Sequence, residues 1–127
     1  MNSNKYFIVI ILTILFLSLI SCNNKPLTVS QLKVGTFKTF LNGSDYTSMA
    51  TRNDSIQVET FNKKKDTFNI EWKSDFEYLL KKKNPITKLD KRVFIIKITG
   101  IHKNSYTFRA HFKGSNYEQT GKAVFIK

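Results

Sequence analysis

The chain has 127 residues, 21 Lys or Arg against 9 Asp or Glu, a net charge of +12 and a single cysteine. That length holds one small domain and leaves no room for a second. One cysteine excludes an intramolecular disulfide, so stability has to come from a core that buries roughly 60–68% of the unfolded surface.

The chain opens on a polar stretch with one cation, Lys5, followed by an uncharged apolar run of 15 residues, Tyr6 to Ile20. A spanning helix needs about 20 apolar residues, so this run has signal-peptide length instead. Ser21, a small residue, then precedes Cys22. Leu19-Ile20-Ser21-Cys22 resembles the lipobox of bacterial lipoproteins. The resemblance implies cleavage before Cys22, a diacylglyceryl group on its thiol, and acylation (commonly palmitate) of the new amino terminus. It makes Cys22 the lipidation site and residues 1–21 the signal peptide. An uncleaved membrane anchor and an ordinary secretory signal are the alternatives. Several acyl chains anchor stably where one holds only marginally.

With Lys5 set aside, 20 basic residues against 9 acidic leave +11 on the remainder. Such a field favours anionic envelope components non-specifically, although scattered lysines also serve solubility. Residues 22–32, polar and containing Pro26, read as a tether, with a β domain over 33–127. No acidic run follows Cys22 and the next residue is Asn23 rather than Asp, which suits an outer-membrane position facing the periplasm.

From Val34 the pattern is one of short β-prone runs broken by turns. Val34 to Leu41 comes first, and Asn42-Gly43-Ser44-Asp45 is a hairpin signal, because Asn and Gly accept the positive φ of a tight turn. Tyr46 to Arg52 follows, then a turn at Asn53-Asp54. In Ser55 to Phe61, Ile56, Val58 and Thr60 alternate with Gln57 and Glu59, the period of a half-buried strand. After Asn62-Lys63-Lys64-Lys65-Asp66, Phe68, Ile70 and Trp72 alternate with polar residues. Ser74-Asp75 reads as a bend or bulge, past which Phe76, Tyr78 and Leu80 continue the pattern. Pro85, which cannot donate to a ladder, ends that strand. Ile86 to Lys91 reads as a loop or one helical turn. Val93 to Ile101 is the most apolar run and reads as a central strand. Tyr106 to Lys113 and Lys122 to Ile126 complete the set.

The result is about eight strands with links too short for a crossover, hence an antiparallel meander. A sheet of that many strands curls into a small barrel or half-barrel, or splits into a β-sandwich. Gly35, the Phe68-Ile70-Trp72 strand and the meander resemble the lipocalins. The segment Trp72 to Leu80, downstream of Arg52 to Glu59, also resembles short uncharacterised bacterial lipoproteins, some labelled as topoisomerase IV. That label implies an ATP-binding domain and a tyrosine cleavage site, for which this chain has no room.

Little in the chain points to catalysis. His102 and His111 stand apart with no metal-ligand spacing, so no metal or other cofactor is expected. No glycine-flanked serine elbow or phosphate loop occurs. Glu59, Glu71, Asp75 and Glu77 are the acid–base candidates, and Glu59 and Glu71 are expected on a solvated face beside basic neighbours. The lysine-rich turns are candidates for gripping phosphate groups. The aromatics follow the apolar alternation, which disfavours nucleic acid. Phe37, Phe68, Trp72, Phe76, Tyr78, Phe94, Phe108, Phe112 and Phe125 are expected to fill a core or line a pocket in the curled sheet. The expected function is a non-enzymatic, lipid-anchored binding or interaction module of the cell envelope. The alternative is a lipocalin-like carrier of a small apolar ligand around Trp72.

Overall fold

A computed structural model describes residues 25–127. Cys22 and the leader lie outside the described residues. Among the described residues one short helix, α1 (Val29–Lys33), precedes eight strands: β1 (Gly35–Leu41), β2 (Thr47–Arg52), β3 (Ile56–Phe61), β4 (Lys64–Ser74), β5 (Glu77–Lys82), β6 (Phe94–Ile101), β7 (Ser105–Phe112) and β8 (Gln119–Phe125). Each strand pairs with the next, and β1 pairs with β8, which closes an antiparallel barrel. One continuous closed sheet rules out the sandwich alternative. It also leaves β6 no more central than its neighbours.

Tight turns set the order. Gly43 takes φ +70° in the β1–β2 turn, as the Asn-Gly signal requires. The β3–β4 link is only Asn62-Lys63, both at positive φ, the backbone of a two-residue hairpin whose twist matches the strands it joins. The Ser74-Asp75 signal marks a register shift after Trp72 and then a hairpin turn, leaving Phe76 exposed at the turn. The segment 86–91 is a loop pinned by Asp90, whose carboxylate accepts from the backbone N–H groups of Ile86 and Thr87.

Alternation decides what faces inward. On β2, Ser48, Ala50 and Arg52 are buried, and on β7 so are Tyr106, Phe108 and Ala110. Because strands reverse at every turn, the links 42–46, 62–63, 83–93 and 113–118 gather at one end of the barrel. The links 53–55, 75–76 and 102–104 gather at the other.

That second end is closed. Residues 22–32 read as a tether in the sequence, yet the part described here belongs to the domain: Leu27 is 7% exposed and Leu32 fully buried. Thr28 caps α1 through the Gln31 N–H while the Gln31 side chain accepts from the Thr28 N–H. This reciprocal cap holds one turn of helix long enough to set Leu32 into the barrel base. Lys33 then ties α1 to the β4–β5 turn through Asp75 at 2.8 Å. Above Leu32 the core is aromatic, with the Phe37 ring edge-on to Tyr106 at 5.4 Å and to Phe125 at 5.5 Å.

Candidate functional site

The half of the barrel away from α1 is not filled. A cavity of about 330 Å³ lies between the strands and reaches the 83–93 loop through Leu89, Asp90 and Arg92. Eight strands enclose just enough space for packed side chains or one small ligand. Here the difference is made by small inward residues: Thr39, Ala50 and Ala110 line the cavity opposite Phe68, Leu80 and Phe94. The walls are chiefly apolar, and polar groups collect at the floor and the mouth.

The floor is built on Arg52, which is 3% exposed. Its Nη1 donates to the Leu32 carbonyl at 3.2 Å and its Nη2 to the Tyr106 hydroxyl. Its guanidinium lies 4.4 Å from the Phe37 ring centroid and 4.9 Å from that of Tyr78. Arg52 Nε has no hydrogen-bond partner among the described residues, and neither has Oε1 of Gln57, the residue across from it. No described carboxylate lies within ion-pair distance of Arg52. Burial pushes the Tyr78 phenol well above its ordinary range, so it stays neutral and supplies no counter-charge. A buried cation ordinarily has a paired anion. This one is held by a carbonyl, a phenol and aromatic faces.

Partway up the wall, Glu59 accepts from the Tyr46 hydroxyl at 2.9 Å and from Ser48 Oγ at 2.8 Å. Burial, and then the adjacent Glu59 carboxylate, holds the Tyr46 phenol up at about 12. At the mouth, Lys82 bridges Asp66 at 3.1 Å and Asp90 at 3.2 Å.

The sequence candidates scatter. Glu59 faces the cavity rather than the solvated face expected for it, because β3 turns Gln57 inward and leaves Ile56 and Val58 half-buried outside. Glu71 is on the solvated face, paired with Lys73 and Lys81. Asp75 sits at the closed-end turn and Glu77 opposite Lys97 across β5–β6. His102 follows β6 at a turn, and His111 sits opposite Ile95 on the outer face, so neither meets the cavity. Trp72 belongs to the closed end, its ring tilted against that of Tyr78 at 4.6 Å, and the cavity lies beyond it rather than around it. Among the aromatics, Phe68, Tyr78, Phe94, Phe108 and Phe112 line the cavity, while Phe37, Trp72 and Phe125 fill the base. Arg52, Gln57, Tyr46 and Ser48 carry the polar part of the site and were not singled out by the sequence.

Among the described residues no helix is long and apolar enough to cross a membrane. Compared with known proteins, the chain matches no family, no curated protein and no solved structure.

Proposed function

We propose that this protein binds a small apolar or amphipathic molecule inside its barrel, as a non-enzymatic carrier anchored in the cell envelope through Cys22. The observation that carries the reading is the cavity of about 330 Å³, which is within the lower range of ligand sites and has apolar walls with a few convergent polar groups. Anchoring rests on the leader and the Leu19-Ile20-Ser21-Cys22 motif. Cys22 lies only a few residues before Leu27, which packs at the base, so an acylated Cys22 would set the closed end toward the bilayer and the mouth away from it.

The test is to fill the cavity. Ala110 is 1% exposed and lines it. The dye N-phenyl-naphthylamine, which brightens in apolar surroundings, is titrated into the wild-type domain and Ala110→Phe. Enhancement in the wild type that is lost in a folded Ala110→Phe variant supports the carrier. Equal enhancement in both, or none in the wild type, sinks it.

A second reading draws on the rim. Ile86, Leu89 and Tyr117 are 89%, 54% and 73% exposed in links at the mouth end, beside Lys83, Lys88, Lys91 and Arg92. Apolar residues set among cations suit an anionic envelope surface. Binding to anionic but not neutral vesicles, weakened by salt, is the outcome this reading requires.

A further inference from the structure

We infer that the ligand is an amphiphile with a carboxylate head, seated on Arg52 at the cavity floor with its tail running toward the mouth. The inference rests on the cavity being the ligand site proposed above and names the chemistry of what fills it.

Three observations converge. Arg52 lines the cavity floor and is buried, and no described carboxylate lies within ion-pair distance of it. Of the five N–H donors of a guanidinium, two are directed at Leu32 and Tyr106, and Nε has no partner. Above it the wall is apolar through Leu80, Ile96, Phe108 and Ala110, up to the charged mouth. A planar carboxylate matches the forked donors of arginine and brings the missing charge. An alkyl tail matches the wall. From Arg52 to Ser48 the strand covers about 13 Å, which suits a medium-length chain.

Glu59 is the other charged group along this path, and it stands one inward position closer to the mouth than Gln57. Its Oε1 is held by Tyr46 and Ser48, both farther toward the mouth than Arg52, so that oxygen is engaged on the mouth side. The mouth cations, Lys82 and Arg92, are the competing seats. Lys82 is already shared between Asp66 and Asp90, and Arg92 stacks 5.0 Å from the Phe112 ring. Neither is buried as Arg52 is.

A structural role for Arg52 in tying down α1 predicts no preference among ligand heads, which separates the two roles. Residues 25–127 hold all eight described strands and the core they enclose, so this domain is the unit to titrate, in the absence of detergent that would compete. Decanoate and decanol, equal in chain length, are compared by calorimetry. The wild type is expected to bind decanoate at least about ten-fold more tightly, the scale of a charge-assisted hydrogen bond. Gln57→Glu places a carboxylate across from Arg52 and satisfies it in place, without removing its bond to Leu32. That variant is expected to lose the preference for decanoate over decanol, and Lys82→Ala is expected to keep it. Equal affinity of the wild type for both probes overturns the head-group assignment and leaves the carrier standing. A preference that survives in Gln57→Glu overturns the assignment to Arg52. Failure to bind either probe overturns the cavity reading together with this one.

Discussion

Arg52 stands directly across from Gln57 in the β2–β3 register, and among the described residues the Nε of one and the Oε1 of the other lack a partner at the same cavity floor. Unsatisfied buried polar atoms are few in folded domains and each calls for a cause. Two at one floor, beside a guanidinium with no described carboxylate in ion-pair distance, are the physical basis of the ligand assignment.

The same guanidinium holds the base together. Tyr106→Phe removes the acceptor of Arg52 Nη2 and leaves a charged donor buried without a partner. The variant is expected to be destabilised by about 1–3 kcal/mol. Urea unfolding would show this as a lower midpoint at unchanged slope. An unchanged midpoint would show that the Tyr106 hydroxyl does not support Arg52.

The β3–β4 turn carries removable strain. Lys63 sits at φ +65°, a conformation that glycine adopts freely and lysine does not. Lys63→Gly restores the Asn-Gly pair that such turns favour and is expected to stabilise the domain by about 0.5–1 kcal/mol after the entropy of the unfolded chain is counted. A lower thermal midpoint would contradict the turn geometry.

Gly121 is where β8 comes closest to its neighbours. A Cβ there would collide with the Phe40 carbonyl oxygen and the Phe108 ring. The backbone cannot yield without opening the β1–β8 seam, so Gly121→Ala is expected to cost about 1–3 kcal/mol. Thermal unfolding checks this. A variant as stable as the wild type would mean the seam is looser than described.

Acid should loosen the mouth. The backbone N–H groups of Ile86 and Thr87, followed by the Lys82 ammonium, hold the Asp90 carboxyl down from 3.8 to about 2. A depressed folded-state value means a contribution fully present above the unfolded value and lost as pH falls through the folded one. The 86–91 loop is therefore expected to stay ordered down to about pH 4 and to release between there and about pH 2. Amide chemical shifts of Ile86 and Thr87, followed over that range in the wild type and Asp90→Asn, report it. Shifts that move together in both proteins would remove Asp90 from the role.

Anchoring is tested at the cysteine. Cys22→Ala is expected to move the protein from the membrane fraction to the soluble one, or to leave its leader uncleaved. A variant that fractionates with membranes as a fully processed chain, as the wild type would, contradicts lipidation.

The barrel was legible because its strands are written in period two and its turns in Asn, Gly, Lys and Pro. Eight short-linked strands pointed to a barrel or half-barrel and left a sandwich open; the pairing of β1 with β8, which decides closure, has no local signature. The site was less legible because period two divides a strand into two faces without saying which is inside. On β3 the apolar set, Ile56 and Val58, faces outward, and the polar set, Gln57 and Glu59, lines the cavity. Arg52 ends a strand of Thr, Ser, Met and Ala in which neither face is strongly apolar. Helix α1 is too short for periodicity, yet the spacing of Thr28 and Gln31 is that of a capping box and was a usable signal.

The measurement that bears most directly on the central claim is a native mass spectrum of the domain after equilibration with a lipid extract. One small-molecule adduct is expected on the folded barrel, released on denaturation and absent from Ala110→Phe. A bare polypeptide mass in the wild type, at the same folded charge states, would contradict it.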